Sequence, residues 1–394
     1  MSGRTARWST YLPWLAVLLT SVVYAAHFFL GGGRGHRILD SWAYLHLAAG
    51  EQTAVPFSTR IVTPLLAAFL ASITGLSIPA SFNLLTPSAL AASLLLMRAS
   101  IRRRGGSASW QAAVLLAFGC SLAATFGYTP VLADPMLLLL TCLTIAALDA
   151  GHLAAALVLA CLAALAKEYG MVLGLVWSSH AYRRGFRKVA YAGILPAMAL
   201  FIVAFERHSS GGIGFGSWPS FAFHLLSEYQ LSVFQMRGPI DYSKLIYMWS
   251  WCGLWPTLLI STTLFVSHLR RRALTADEIQ LAIVLATLPV LLLGDWSRAL
   301  IIIVPFTCIV ATAHPLARER GFIILLAIGG VSTALARPFH GESSPPAFFP
   351  LAMTAISAVS SIAIVVTVVR FALSTRAKRR ISRLREPAPE VAAQ

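Results

Sequence analysis

Residues 131–149, VLADPMLLLLTCLTIAALD, show what kind of protein this chain is. Between Asp134 and Asp149 the stretch contains no charged residue. A helix that crosses a bilayer needs about 20 mainly apolar residues, and similar runs recur along most of the chain. Because the runs are continuous rather than alternating, they predict membrane helices and not the strands of a barrel.

The composition agrees with this interpretation. Only 12% of the 394 residues are charged, and the mean hydropathy is +0.74, whereas a typical soluble domain is about 25% charged. These values exclude an ordinary soluble enzyme and a disordered chain. The five cysteines all fall in apolar runs, without the spacing of a zinc site, and are expected to be small buried hydrophobic residues.

The sequence therefore predicts an all-α, polytopic membrane protein with about twelve transmembrane helices. The first run is expected to be an uncleaved span rather than a signal peptide. Residues 1–375 form one transmembrane domain with outer loops at 31–78 and 207–244, and 376–394 form a basic, disordered cytoplasmic tail. The predicted spans are 11–30, 79–98, 109–126, 131–149, 152–166, 169–182, 188–206, 245–268, 279–294, 299–314, 320–336 and 349–373.

Residues 61–76 are apolar and leave two topologies open. If they cross the membrane, the basic cluster at 98–104 falls on the same side as Asp40. If they lie on the outer face as a surface helix, every basic cluster falls on one side, as the positive-inside rule requires. The second topology places 22 basic and six acidic residues on the cytoplasmic side, and nine of each sign outside. It places both termini in the cytoplasm.

The net charge of +16 is thus explained by topology and by contact with anionic membrane lipids. No basic soluble domain is present in the pattern, so nucleic acid is not an expected partner.

The first outer loop carries the most informative polar residues. It contains Asp40 and Tyr44, which would share one face of a short helix. A carboxylate at the membrane surface can act as a general base, but an aspartate at this position can also simply cap the helix. Spacing alone leaves both interpretations open.

The order Asp40, Tyr44, Ala48, Gly50, followed by Pro56-Phe57-x-x-Arg60-x-x-x-Pro64-Leu65-Leu66, resembles the first outer loop of GT-C class membrane glycosyltransferases from bacteria. The resemblance continues through Phe126-Gly127-Tyr128, Asp134-Pro135 and Ala166-Lys167-Glu168-Tyr169-Gly170, and covers roughly residues 11–185. The second half resembles the class only in its spans and outer loop. Residue 40 lacks the acidic neighbour common in protein-mannosylating members, which leaves the use of a divalent metal open; no cofactor or metal ligand is assigned.

The resemblance implies transfer of a sugar from a polyprenyl-phosphate donor to a glycan, lipid or protein acceptor at the periplasmic face of the bacterial inner membrane. Asp40 would accept the proton of the attacking hydroxyl, and Tyr44 would contact substrate. The leaving phosphate requires cations. The candidates on the outer face are Arg60, Lys167, Arg298 and Arg337, each of which could instead reach lipid headgroups.

Two further acidic residues have open roles. Asp134 followed by Pro135 is typical of a helix N-cap, or Asp134 is a second acidic site residue. Glu168 binds either substrate or Arg60, because Lys167 and Glu168 point about 100° apart on a helix. The rival function is a transporter or flippase of a lipid-linked sugar, which charges deep in several spans would favour.

Overall fold

The computed structural model describes residues 2–30, 39–53, 57–190, 254–287, 300–336 and 348–385, with isolated positions 193, 195, 196 and 199. Within these ranges the protein contains helices and no strand, as the sequence predicts. Short 3₁₀ helices cover Phe57–Thr59, Glu168–Met171, Leu300–Ile302 and Pro315–Arg318. The α-helices, in chain order, are α1 (Ser2–Leu30), α2 (Leu39–Ala48), α3 (Val62–Thr74), α4 (Ile78–Arg103), α5 (Ala108–Tyr128), α6 (Asp134–Ala150), α7 (Leu153–Ala166), α8 (Val172–Arg183), α9 (Arg187–Ala190), α10 (Leu254–Arg270), α11 (Ala276–Ala286), α12 (Ile303–Ala311), α13 (Arg320–Ala336) and α14 (Phe348–Arg385).

Four of the described helical segments are long and apolar enough to cross a membrane: Thr10–Leu30, Ile78–Arg103, Ala108–Gly127 and Leu351–Thr375. Large apolar side chains are exposed along the first and the last of them, as expected for surfaces that face lipid. The protein thus has the helices of a membrane protein. The count of twelve spans stays a prediction, and the outer loop 207–244 lies outside the described residues.

The ambiguous segment 61–76 forms the separate helix α3, which has 13 residues. At 1.5 Å per residue it is about 20 Å long, shorter than the hydrocarbon core of about 30 Å. It ends at Gly75, which adopts a left-handed conformation with φ of 73°, and α4 begins almost at once. Helix α7, which corresponds to a predicted span, has only 14 residues, so length does not separate the two topologies and the surface position of α3 stays a prediction.

The helices alternate in direction, so the bundle has two distinct ends. At the end that we call the Asp40 end, Thr86 Oγ1 donates to Pro130 O over 2.6 Å and Ser41 Oγ donates to Val131 O over 3.2 Å. These bonds bring α2 and α4 to the turn between α5 and α6. At the opposite Arg104 end, Trp110 Nε1 donates to Thr312 Oγ1 over 3.1 Å.

Exposed basic side chains gather in the turns of the Arg104 end. They include Arg102 and Arg103 at the end of α4, and Arg184, Arg271, Arg272 and Arg318 in or beside the turns. The charge asymmetry inferred from the sequence therefore corresponds to one end of the folded bundle.

Helix α5 lies at the centre of the described bundle, packed between α1 and α13. Gly330 of α13 approaches it closely, since a Cβ at this position would lie 2.2 Å from Ala117 Cα. Small residues that allow such backbone contact are typical of helix pairs in membranes.

The final helix, α14, continues to Arg385. The segment from 376, expected to be unstructured, is therefore helical over its first ten residues. Residues 386–394 lie outside the described part of the chain.

Candidate functional site

Arg60 lies at the centre of a charged cluster at the Asp40 end. Its guanidinium donates two hydrogen bonds to Glu168, from Nε to Oε2 over 2.9 Å and from Nη2 to Oε1 over 2.6 Å. Such a parallel pair is the strongest geometry available to arginine and a carboxylate. The two residues are 108 positions apart, so the contact ties the first outer loop to the turn after α7. Of the two roles open for Glu168, the structure shows binding to Arg60.

Helix α2 presents Asp40 and Tyr44 to this guanidinium. Arg60 Nη1 donates to Tyr44 Oη over 3.1 Å and lies 4.0 Å from Asp40 Oδ2. Asp40 is the second residue of the helix, and Tyr44 follows one turn later on the same face, as predicted. Tyr44 is fully buried, whereas the Asp40 side chain is 20% exposed. Asp40 is thus held beside the cation while part of its carboxyl group faces outward.

An aromatic side chain completes the support of Arg60. Phe57, in the 3₁₀ helix just before it, places its ring 5.4 Å from Arg60 Cζ. The same ring packs edge-on against Tyr44, with 5.9 Å between the ring centres. Phe57 therefore fixes both the arginine and the tyrosine, a role that its place in the Pro56-Phe57 motif did not reveal.

A second ion pair lies next to the first. Lys167 Nζ donates to Asp134 Oδ1 over 2.6 Å, and both side chains are completely buried. The N-cap of α6 is Ala133, and no side chain caps this helix. The N-cap interpretation of Asp134 is therefore wrong: its carboxylate contacts Lys167 across the bundle instead. Lys167 also lies 5.1 Å from the centre of the Tyr169 ring.

A glycine explains how the turn at Glu168 packs so closely. A Cβ on Gly170 would lie 2.2 Å from the carbonyl carbon and oxygen of Ala163. Only a residue without a side chain lets the 3₁₀ helix Glu168–Met171 rest on the end of α7. This packing directs Lys167 and Glu168 to their separate partners.

Burial and ion pairing oppose each other in setting the protonation of the site. Burial raises the pKa of the Glu168 carboxyl, but attraction and hydrogen bonds from Arg60, together with Lys167, outweigh it and hold that pKa below its ordinary value. Burial lowers the pKa of Arg60, and Glu168, Tyr44 and Asp40 raise it well above its ordinary value. Both groups are therefore charged at neutral pH.

The cluster contains two cations, Arg60 and Lys167, and three carboxylates. Glu168 and Asp134 each have a cation within hydrogen-bond distance. Among the residues that the structure describes, the formal sum of these five groups is one negative charge, and Asp40 Oδ2 forms an ion pair with Arg60 Nη1 at 4.0 Å.

The structure thus brings together six of the seven predicted site residues: Asp40, Tyr44, Arg60, Asp134, Lys167 and Glu168. Arg298, the seventh, lies outside the described residues, as does Arg337. Within the described ranges, no group of three or more His, Cys, Asp or Glu side chains could hold a metal ion.

Comparison of the chain with protein-family models and with curated proteins gives no match.

Proposed function

We propose that this protein is a glycosyltransferase of the bacterial inner membrane that uses a polyprenyl-phosphate sugar at the periplasmic face. The observation that carries the proposal is the position of Asp40, a partly exposed carboxylate fixed by a buried arginine at one end of a helical bundle. A general base must reach the hydroxyl that it deprotonates, yet keep a defined orientation. The Asp40 end provides both conditions.

In the proposed reaction the acceptor oxygen attacks the anomeric carbon of the donor while Asp40 takes the hydroxyl proton. The bond from the anomeric carbon to the polyprenyl phosphate breaks, and the phosphate leaves with the bonding electrons. Attack from the side opposite the leaving group inverts the anomeric configuration.

The cations of the site divide into two groups. Arg60 is buried and uses its donors on Glu168 and Tyr44, so in this proposal it orients Asp40. Lys167 is committed to Asp134 in the same way. Contact with the leaving phosphate is assigned to Arg298. The predicted topology puts this residue in an outer turn, on the same side of the membrane as Asp40.

The orientation in the membrane follows from charge. Exposed arginines gather at the Arg104 end, and positively charged loops remain in the cytoplasm. We therefore place the Arg104 end and both termini in the cytoplasm, the Asp40 end in the periplasm, and α3 along the outer surface of a bundle of about twelve spans.

The test replaces Asp40 by Asn in the native host and compares cell-envelope glycans at matched protein levels. The chain offers a matched control, since the Asp149 side chain at the Arg104 end is also 20% exposed. Because a general base contributes about 10²- to 10⁴-fold to the rate, D40N should lose the product glycan while D149N keeps it. A normal glycan profile in D40N would remove Asp40 from the mechanism.

A transporter of lipid-linked sugars is the alternative from another class. Ion pathways usually place charged residues near the middle of the membrane. In the described residues, the carboxylate–arginine and carboxylate–lysine pairs lie at the two ends of the bundle instead. Uptake of a polyprenyl-linked sugar into vesicles, without any glycosyl transfer, would favour the transporter.

A further inference from the structure

Arg98 carries a positive charge inside a helix that is long enough to cross a membrane. It lies on α4, five residues before that helix ends at Arg103. In the part of the chain that the structure describes, no carboxylate forms an ion pair with Arg98, and its Nε, shielded from solvent, donates no hydrogen bond. A cation in a membrane helix without a carboxylate partner among the described residues is a candidate for ligand binding.

Trp14 of α1 lies against the Arg98 guanidinium. The centre of its ring lies 4.2 Å from Arg98 Cζ, a distance at which the guanidinium is attracted to the ring face. About half of the Trp14 surface is exposed. The stacked pair therefore forms a joint surface between α1 and α4, open to the outside of the bundle.

The surface around Trp14 and Arg98 is apolar towards the middle of the two helices and basic towards the Arg104 end. Leu15 and Leu18 of α1 are exposed beside Trp14, and Leu95 of α4 is exposed one turn before Arg98. Arg102, one turn after Arg98, is exposed at the Arg104 end. A ligand that satisfies this surface combines an anionic group with hydrocarbon.

The depth of the pair fits the headgroup region. Five residues of helix correspond to about 8 Å, so Arg98 lies just below the end of α4, within reach of the interface. Tryptophan is enriched at this depth, where one part of the ring contacts hydrocarbon and another contacts water.

We propose that Arg98 and Trp14 form a binding site for the phosphate of an anionic phospholipid in the leaflet at the Arg104 end. The phosphate would accept hydrogen bonds from Arg98, with Arg102 adding charge, and the acyl chains would lie along Leu15, Leu18 and Leu95. The site is at the opposite end from Asp40 and does not depend on glycosyl transfer.

The experiment measures thermal unfolding of the full-length protein in neutral detergent. Phosphatidylglycerol, phosphatidylcholine with the same acyl chains, and inorganic phosphate are titrated separately. The variants are Arg98→Gln and Trp14→Leu, and the control is Arg271→Gln, which removes an exposed charge from the same end. An arginine that contacts the bound phosphate should contribute about a fivefold change in lipid affinity, whereas Arg271 lies in a different turn, between α10 and α11.

We expect phosphatidylglycerol to stabilise the wild type and R271Q equally, with about fivefold weaker apparent affinity in R98Q and a smaller loss in W14L. Neither phosphatidylcholine nor inorganic phosphate should reproduce the effect. Unchanged affinity in both R98Q and W14L would overturn the site. Equal stabilisation by inorganic phosphate would assign it to a free anion, and equal stabilisation by phosphatidylcholine would remove the requirement for an anionic lipid. If R98Q fails to fold, the W14L titration decides alone.

Discussion

Each end of this bundle contains a partly or fully buried arginine between two carboxylates, but the two clusters are built differently. At the Arg104 end, Arg104 hydrogen-bonds both Asp149 and Asp277 through paired donors, at 2.7–3.0 Å. At the Asp40 end, Arg60 bonds Glu168 in this way and leaves Asp40 Oδ2 at 4.0 Å. In the first arrangement both acids hydrogen-bond the arginine, whereas in the second Glu168 hydrogen-bonds it and Asp40 forms a longer ion pair with it.

Burial separates the two clusters further. The Arg60 side chain is 6% exposed and the Arg104 side chain 19%, with Asp277 at 29%. Loss of a partner inside the protein leaves an uncompensated charge, whereas loss of a partner near the surface is largely repaired by water. The Arg104 cluster therefore joins α4, α6 and α11 near the surface, and the Arg60 cluster joins the first outer loop to the turn after α7 in the interior.

The largest effect is expected from the fully buried pair beside Arg60. Lys167→Met leaves Asp134 charged in the interior and should lower the free energy of unfolding by about 3–5 kcal/mol. Denaturant unfolding in detergent micelles measures the loss. The double variant Lys167→Met with Asp134→Leu removes both charges and should recover most of it. If Lys167→Met alone is as stable as the wild type, the Lys167–Asp134 ion pair does not stabilise the fold.

A smaller effect tests the comparison between the two arginines directly. Glu168→Gln removes the carboxylate that neutralises buried Arg60 and should cost about 3 kcal/mol. Asp277→Asn leaves Arg104 its second partner, Asp149, and should cost about 1 kcal/mol. Denaturant unfolding of both variants compares the two losses in the free energy of unfolding. Equal losses would mean that the two ends do not differ as proposed.

The smallest effect concerns pH, because the two ends lose stability in different ranges. Burial lowers the pKa of His314, in the turn after α12 at the Arg104 end, from 6.5 to about 4. The unfolded chain then binds more protons between these values, so stability falls as the pH drops from 6.5 towards 4. Between pH 7 and pH 5.5 the loss should be about 1 kcal/mol or less, with solvent screening taken into account.

Glu168 responds in the same sense but at lower pH, since its pKa in the folded protein lies below the ordinary 4.5. The stability that it contributes is present above that value and is lost only as the pH falls further. Melting temperatures from pH 7.5 to pH 3.5 should therefore decrease in two stages. His314→Asn, which retains an acceptor for the Leu316 N–H now bound by Nδ1, should remove the upper stage, and Glu168→Gln the lower. A variant that still loses stability in both stages would contradict its assignment.

The sequence indicated which charged residues could lie at one end of the bundle, but it did not indicate which of them pair with each other. Asp40 and Tyr44 are four residues apart, and helical spacing alone places them on one face. Arg60 and Glu168 are separated by 108 positions, and no local pattern specifies that they meet. Asp134 shows the limit most clearly: the Asp-Pro pair is typical of a helix start, yet in the folded chain its carboxylate binds Lys167.

The amino-acid sequence by itself determined that the chain forms helices and that its charge is distributed unevenly. Long apolar runs require helices in a membrane, because each helix satisfies its own backbone hydrogen bonds, and the distribution of arginines distinguishes the two ends. The tertiary structure alone decided which charges neutralise each other, because pairing depends on how α2, α6 and the turn after α7 pack. Gly170 permits that packing, since a Cβ there would lie 2.2 Å from the Ala163 carbonyl.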